Sequence, residues 1–377
     1  MEKEVNLKQF DTEPYVIKHL HALGRAKGVS VSTTFELTSR CNFSCKMCYV
    51  HSCKCNSAAD ELTAEQWIEL GRQAKEAGVM FLLITGGEPF MRDDFCEIYE
   101  EIYKMGFIVS LNTNLSLLNE KHIETLVKHP PNRINVSLYG TSNETYEKLC
   151  GVPAFETVDR NIKKLKSFGL PLKINVSITD INCGDFESIF NYCKENELFI
   201  KASSYMFPAS RITRDTARLS PDGAARFRTI YDRLELDRET FLDRAERIEK
   251  GIEYVDSLNC DDADVEGSGI RCRAGSSASW IDKSGNMSFC GMIPAKKENN
   301  VLKLGFQNCF DNVRKDASAV VLPAKCTNCR YRYLCNICAA SCFCETGGFS
   351  EVPEYLCKMC ESTAKYFKQF SEEMKGR

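Results

Sequence analysis

The sequence has 377 residues, of which 43% are hydrophobic and 27% charged, and its net charge is −3. This composition is typical of a globular protein of two or three domains. The slight negative charge argues against a nucleic-acid-binding protein that relies on a basic surface. No run of about 18 apolar residues is present, and the N-terminus has no apolar signal core. We therefore expect a cytoplasmic protein with no membrane or nucleic-acid partner.

Cysteine is unusually frequent, with 21 residues. The chain length, the odd number and the missing signal argue against a disulfide framework, which is typical of small secreted chains. In a reducing compartment, so many thiols indicate metal ligation. They concentrate at residues 41–55 and from residue 260 onwards, with few between. The sequence therefore predicts two separate cysteine centres.

Strands and helices alternate between residues 31 and 208. The run VMFLLIT is typical of a strand buried on both faces of a parallel sheet. A capping box at Thr63 and Gln66 predicts the start of a helix that ends before Gly78. Strands are predicted at 31–37, 79–85, 107–112, 133–138, 172–178 and 198–206, and further helices at 93–105, 119–129, 155–168 and 185–197. Six such units favour an α/β fold with a parallel sheet, open or curled into a partial barrel.

The remaining chain differs in composition. Residues 209–259 are charged and predicted to form a helical connector. From about residue 260 the sequence is rich in cysteine and glycine, so bound metal must supply much of its folding free energy. We expect an α+β cysteine-rich domain here. The predicted division is 1–30 as an N-terminal extension, 31–208 as the α/β core, 209–259 as the connector, 260–365 as the cysteine-rich domain and 366–377 as a tail.

The first chemical motif is Cys41-x3-Cys45-x2-Cys48, in the loop after the first strand. Three thiolates this close can hold three irons of a 4Fe–4S cluster and leave the fourth iron open. Zinc usually needs a fourth protein ligand, and His51 is the only nearby candidate. The loop follows the carboxyl end of a strand, where parallel α/β folds place their sites.

The second motif is Gly86-Gly87-Glu88-Pro89, directly after the next strand. Glycines allow the backbone to approach a ligand closely, and Glu88 can accept a hydrogen bond from an ammonium group. Alone, the motif is more often a tight turn. Together with the cysteine motif, it resembles the radical S-adenosylmethionine (radical SAM) superfamily over residues 31–208.

The resemblance implies a partial (β/α)6 barrel and a core 4Fe–4S cluster whose open iron binds SAM. Gly86, Gly87 and Glu88 would meet the amino group of SAM, and Ser137 matches a position that often contacts the ribose. Asn112, with Asn114, would line the same mouth, although both are equally consistent with ordinary loop asparagines. Members usually have an aromatic residue before the third cysteine to contact adenine. Here that residue is Met47, and Tyr49 follows the motif instead.

The third motif is C-terminal. Cys272-x12-Gly285-x4-Cys290 precedes Cys326-x2-Cys329-x5-Cys335-x2-Cys338, and Cys357 follows. Over residues 260–365 this resembles the SPASM extension of radical SAM enzymes, which carries two auxiliary 4Fe–4S clusters. The resemblance assigns Cys272, Cys290 and Cys338 to cluster I, and Cys326, Cys329, Cys335 and Cys357 to cluster II.

Several ligand assignments stay open. The last spacing of the central block is two residues, whereas the common form has three, so Cys342 or Cys360 could replace an assigned ligand. Cys260 could complete cluster I, or that cluster could keep an open iron. Taken alone, the central block could also form two zinc knuckles. Cys53, Cys55, Cys309 and Cys344 receive no role.

The resemblance implies an enzyme that uses a 5′-deoxyadenosyl radical to abstract hydrogen, with an external flavodoxin- or ferredoxin-type electron donor. Most SPASM proteins crosslink ribosomally made peptides, and others oxidise small molecules such as haem precursors. Formylglycine-forming members have an aspartate after the cysteine that corresponds to Cys290, where this sequence has Gly291. A short N-terminal extension predicts that a separate protein binds any leader peptide. A non-enzymatic metal scaffold is the alternative from another class, and it would need neither the open iron nor the SAM motif.

Overall fold

The computed structural model describes residues 14–49, 60–208, 217–257 and 267–376. The strands are β1 (Ser32–Glu36), β2 (Phe81–Thr85), β3 (Ile108–Thr113), β4 (Arg133–Ser137), β5 (Leu172–Ser177), β6 (Phe199–Ser203), β7 (Ala278–Ile281) and β8 (Met287–Ser288). They form one sheet in the order β6-β5-β4-β3-β2-β1-β7-β8.

Helices connect the strands and cover the C-terminal part. They are α1 (Tyr15–Lys27), α2 (Ala64–Glu76), α3 (Phe95–Lys104), α4 (Glu120–Lys128), α5 (Asn143–Cys150), α6 (Phe155–Ser167), α7 (Phe186–Glu195), α8 (Pro221–Glu235), α9 (Arg238–Ser257), α10 (Val301–Leu304), α11 (Phe306–Ser318), α12 (Ala339–Thr346) and α13 (Glu354–Lys375). In the described parts of the chain, none of these helices has the length and apolar character needed to cross a membrane.

Strands β1 to β6 are parallel, and each pairs with the next in sequence. Right-handed crossovers between consecutive neighbours place all the connecting helices on the same face of the sheet. These helices do not cover the opposite face of the sheet, which is therefore available for a binding site. The predicted α/β fold with a parallel sheet is confirmed, and the observed strands lie within a few residues of their predicted positions.

The two faces of the sheet differ in polarity. Leu111, Val136 and Ile174 on the helix-covered face are completely buried. Asn112 and Asn135 on the open face are half-buried, and Asn135 Nδ2 donates to Asn112 Oδ1 at 2.8 Å. The sheet thus has an apolar face against the helices and an open face that carries amide side chains.

The C-terminal region extends the same sheet. Strand β7 pairs in parallel with β1, and β8 pairs antiparallel with β7. The cysteine-rich region is therefore joined to the core through backbone hydrogen bonds. Helix α13 packs against α8 and α9, with the Phe241 and Phe367 rings stacked at 5.1 Å. This helix runs through most of the residues that the sequence assigns to a tail, and the division into domains stays a prediction.

Helix α2 begins with the predicted capping box, and helix α5 ends beside the cysteine loop. The capping box at Thr63 is present, since Gln66 N donates to Thr63 Oγ1 and Thr63 N donates to Gln66 Oε1. Helix α5, which the sequence analysis did not predict, follows β4 and ends beside the cysteine loop. Its last residues accept hydrogen bonds from that loop.

Candidate active site

The cysteine loop after β1 is fixed by backbone hydrogen bonds to a distant part of the chain. Ser44 N donates to Cys150 O at 2.8 Å, and Lys46 N donates to Leu149 O at 3.0 Å. Both acceptors are C-terminal carbonyls of α5, which have no partner within the helix. These two hydrogen bonds hold the loop between Cys41 and Cys48 against the end of α5.

The three thiols of this loop lie close together. Burial, with smaller contributions from the negative charges of Glu88, Cys45 and Cys48, raises the pKa of Cys41 to about 12. Phe43 N, at 3.4 Å, and Asn114 Nδ2, at 3.7 Å, donate to Cys41 Sγ. Buried thiolates that repel one another are stabilised by a bound cationic centre. The donor set therefore fits an iron–sulfur cluster bound through three cysteines.

Gly86 and Gly87 lie directly against the segment that leads into the cysteine loop. Gly87 N donates to Thr38 O at 2.7 Å. A Cβ on Gly86 would lie 2.7 Å from Thr38 O, and a Cβ on Gly87 would lie 2.3 Å from Arg40 O. The two glycines are therefore required by a backbone-to-backbone contact, whatever ligand their other side meets.

Glu88 joins three loops at the carboxyl end of the sheet. Its fully buried carboxylate accepts from Thr113 Oγ1 and Asn114 N, both at 2.7 Å, and from Phe90 N at 3.1 Å. Burial raises the pKa of Glu88 to about 7, although these three hydrogen bonds lower it. Glu88 thus holds the start of the loop after β3 at the cysteine site.

Asn114 also forms a hydrogen bond with the cysteine loop. Its Nδ2 donates to Asn42 Oδ1 at 3.0 Å, and Asn42 Nδ2 donates to Ser116 Oγ at 2.8 Å. Asn42 had no role in the sequence analysis, although its position directly after Cys41 was a possible signal. Asn114, Asn42 and Ser116 are therefore linked by hydrogen bonds beside Cys41.

The other residues expected to meet SAM occupy different environments. Asn112 and Ser137 are half-buried on the open face of the sheet. Met47 is 8% exposed and packs in the core with Cys45. Tyr49 is half-buried at the end of the loop. The structure thus places Asn112 and Ser137 on the site face, and their contacts with SAM stay predictions.

An open cleft of about 750 Å³ is lined by Tyr49, which directly follows the cysteine loop, and by Cys272 and Cys290 of the C-terminal region. Trp280 also lines the cleft, and its Nε1 donates to Glu36 Oε2 at 2.9 Å. A Cβ on Gly291 would lie 2.6 Å from the Trp280 indole, so the ring leaves no room for an aspartate side chain there.

Cys290 lies at the centre of a first C-terminal thiol set. Burial raises its pKa to about 11, and the charges of Cys338, Cys272 and Cys344 contribute. The three cysteines assigned by sequence to cluster I are therefore brought together. Cys344 is a fourth member that the sequence analysis left without a role.

Cys335 lies at the centre of a second thiol set. Cys326, Cys329, Cys335 and Cys357 line one small cavity of about 30 Å³, together with Cys360. The Cys360 thiol donates to Cys335, which lowers the pKa of Cys335 to about 7 and raises that of Cys360. The four cysteines assigned to cluster II thus converge, and Cys360 stays a possible replacement for one of them.

The remaining open cysteines differ in position. Cys342 is completely buried and lies near Cys326, Cys335 and Cys338, between the two sets. Cys260, Cys53, Cys55 and His51 lie outside the described residues. Within residues 14–49, 60–208, 217–257 and 267–376, no three His, Cys, Asp or Glu side chains are arranged around a single metal ion. A 4Fe–4S cluster differs from zinc here, because each of its thiolates binds a different iron.

Several known proteins are similar to this chain in sequence or in fold. The family model of the radical SAM superfamily matches residues 35–193. The AdoMet-dependent heme synthase of Methanosarcina barkeri is 26% identical over 338 residues, which is 85% of this chain and 94% of the relative. A probable GTP 3′,8-cyclase of Methanothermobacter thermautotrophicus is 34% identical over 179 residues, 47% of this chain. The match spans only 58% of that cyclase.

Solved structures share the fold over nearly the whole chain. Streptococcus suis SuiB bound to the precursor peptide SuiA has a TM-score of 0.64 at 17% identity, and covers 94% of this chain and 84% of its own. Native anSMEcpe with bound AdoMet has a TM-score of 0.66 at 17% identity, and covers 92% of this chain and 99% of its own. At these identities the likeness shows the fold alone. The matched residues 35–193 include the cysteine loop and the Gly-Gly-Glu motif, so this part of the chain is similar to the radical SAM superfamily.

Proposed function

We propose that this protein is a radical SAM enzyme with a core 4Fe–4S cluster and two auxiliary clusters, which oxidatively modifies a ribosomally made peptide. The observation that carries the proposal is the cleft between the cysteine loop and Cys290. A substrate in this cleft would lie between the site of hydrogen abstraction and a thiol set suited to an electron acceptor.

At the core, Cys41, Cys45 and Cys48 would hold the cluster, and the backbone of Gly86 and Gly87 would line the SAM site. When bound, the cluster and SAM supply a 5′-deoxyadenosyl radical that takes a hydrogen atom from unactivated carbon. The hydrogen bonds that link Asn114, Asn42 and Ser116 beside Cys41 fix the loop in advance. Catalysis requires such fixed positions, because reacting atoms must lie within about 3–3.5 Å of each other. Preorganisation is the contribution of these residues.

The auxiliary sets account for the oxidative outcome. A substrate that loses one hydrogen atom and forms a new bond must also lose one proton and one electron. Cys272 and Cys290 line the cleft and Cys338 lies near Cys290, so a cluster held by these three thiols would accept that electron. Cys326, Cys329, Cys335 and Cys357 would hold the second cluster, which passes it on. Cluster potentials span about −700 to +450 mV, so both transfers are accessible.

The open face of the sheet supports a peptide substrate. Asn112, Asn135 and Asn175 are half-buried on this face, and Ser137 pairs with Asn175 in register. Side-chain amides donate and accept hydrogen bonds, which matches the alternating donors and acceptors of a peptide backbone. The shared fold with SuiB, solved with its precursor peptide, agrees with this choice. A ferredoxin- or flavodoxin-type protein would supply electrons, and a separate protein would bind the leader.

A small carboxylate-bearing molecule, such as a haem precursor, is the second candidate. Lys173 and Lys201 extend from the same sheet face as the asparagines and would pair with carboxylates. The heme synthase relative, which aligns over 94% of its length, favours this candidate at the level of sequence. The aspartate-dependent route to formylglycine is not supported, because Trp280 fills the space beside Gly291.

Co-expression with short peptides encoded beside the gene tests the proposal. We expect a mass loss of about 2 Da per modification, from the two hydrogens removed. Cys48→Ala and Cys338→Ala should abolish it, whereas Cys183→Ala, at a half-exposed thiol bonded to Asp180 O, should retain it. An altered carboxylated tetrapyrrole with every peptide unchanged would establish the second candidate instead.

A further inference from the structure

Helix α12 carries two cysteines, Cys342 and Cys344, and begins directly after Cys338. Cys342 is completely buried in the hydrophobic core, as expected of a structural thiol. Cys344 is half-exposed and lies close enough to Cys290 for its charge to act on that thiol. The two thiols of the same helix therefore have different surroundings.

Three aromatic rings hold Cys344 near Cys290. Phe343, beside Cys344, stacks on Phe349 with ring centroids 5.5 Å apart. Phe349 in turn contacts Phe289, beside Cys290, at 6.3 Å. Phe343 and Phe289, the residues next to the two cysteines, thus both contact the ring of Phe349. The charge of Cys344 is also one of those that raise the pKa of the Cys290 thiol.

The next residue, Glu345, anchors this end of α12 to the core. Arg218 Nη2 donates to Glu345 Oε1 at 2.7 Å, and Tyr205 Oη donates to the same oxygen at 2.9 Å. The Arg218 guanidinium also stacks on Tyr355, 3.9 Å from the ring centroid. Tyr205 follows β6 closely, so the carboxyl end of the sheet fixes the position of Cys344.

We propose that Cys344 is the fourth protein ligand of auxiliary cluster I, together with Cys272, Cys290 and Cys338. The proposal rests on the auxiliary clusters of the proposed function. Four cysteines are the usual complement of a 4Fe–4S cluster. Complete ligation leaves no iron open to the substrate, so cluster I would exchange electrons with the substrate and never bind it directly.

The test uses full-length protein in which Cys41, Cys45 and Cys48 are replaced by alanine, so that only auxiliary iron is counted. This parent should hold about eight irons per chain. Adding Cys344→Ser should remove between about one and four irons, and oxidation should then give the electron paramagnetic resonance signal of a 3Fe–4S cluster. Adding Cys183→Ser to the parent is the matched control, because this thiol is also half-exposed but donates to Asp180 O, and it should leave iron content and spectrum unchanged.

The outcomes separate this assignment from the rest. A Cys344→Ser protein with the iron content and spectrum of its parent would overturn the assignment. A 3Fe–4S signal produced by Cys260→Ser instead would give the position to Cys260. A parent without iron would overturn both this assignment and the auxiliary clusters. SAM cleavage by the unsubstituted enzyme, measured separately, tests the core chemistry alone.

Discussion

The cysteine loop after β1 and the cysteine segment of residues 326–338 differ in what holds them. The first is bonded to distant residues, since Ser44 N and Lys46 N donate to the end of α5. In the second, the backbone hydrogen bonds are local. Cys326 N donates to Pro323 O, and Cys335 N donates to Tyr331 O. Hydrogen bonds to distant residues shape the core site, whereas the backbone of the auxiliary segment is held by hydrogen bonds to residues nearby in sequence.

This contrast has a physical consequence. A segment with mainly local hydrogen bonds and half-exposed thiols gains little from burial of apolar surface. Metal ligation then supplies folding free energy, because the site is absent in the unfolded chain. The core loop would hold only its own cluster, and its shape follows from the sheet, α5 and Glu88. We therefore expect the two regions to respond differently to loss of metal.

The largest effect should come from replacing Cys41, Cys45 and Cys48 by alanine. Without thiolates in the core loop, reductive SAM cleavage should fall on the order of 10³-fold or more. The auxiliary iron should remain at about eight atoms per chain, because its ligands lie elsewhere. Assays of 5′-deoxyadenosine and of iron measure both quantities. Continued production of 5′-deoxyadenosine would assign SAM cleavage to another site.

Removal of all iron by a chelator under reducing conditions should separate the regions by stability. Amide exchange in residues 326–338 should accelerate roughly 100-fold, as its local hydrogen bonds open. Exchange in β1 to β6 should change little. The second half of α13 is an internal control, because Phe367 packs on Phe241 of α9 and not on a cluster thiol. Equal acceleration in all three regions would contradict the comparison.

Most of the fold could be predicted from the sequence because its strands are buried apolar runs. Phe81–Thr85 is an example, with Leu82 and Ile84 almost fully buried on the helix-covered face. Helix α5 escaped prediction because its sequence NETYEKLC is short and mostly polar. Helix α13 was not predicted for another reason. Cys357 and Cys360 lie within its helical pattern and were interpreted as ligands of the cysteine-rich domain.

The candidate site was predictable where the residues are close in sequence. The core cysteines and Gly86–Glu88 belong to local motifs, and their ligand roles stay predictions. Contacts made by the tertiary fold gave no such signal. Neither the approach of Cys344 to Cys290 nor the packing of Trp280 on Gly291 follows from spacing. Each joins residues that lie on different elements.

Gly291→Asp tests whether side-chain packing also shapes the auxiliary region. Because a Cβ would lie 2.6 Å from the Trp280 indole, we expect a loss of about 1–3 kcal/mol in the free energy of unfolding. Urea denaturation measures this loss. Combining the change with Trp280→Ala should recover part of it, as a double-mutant cycle would reveal. Additive effects of the two changes would mean that the indole does not restrict this position.

The last expected effect appears only as the pH falls and concerns His122, which packs beside the loop that contains Glu88. Its ring stacks on Phe90 at 4.2 Å, next to Glu88, and its Nδ1 accepts from Asn119 N. Burial lowers the pKa of His122 from 6.5 to about 4, so the unfolded chain binds a proton that the folded protein resists. Stability from this group is therefore complete above pH 6.5 and is lost as the pH falls towards 4.

Between pH 7 and pH 5 this linkage should cost about 2 kcal/mol of unfolding free energy. His122→Gln keeps a capping-box partner at the start of α4 but removes the titrating ring. The variant should be less stable at pH 7, because the stacking on Phe90 is lost, yet its stability should change less with pH. Urea denaturation at the two pH values measures the difference, and other titrating groups cancel because both proteins share them. Parallel pH profiles would show that packing around His122 does not exclude the proton, and that the core site is less rigid than the comparison requires.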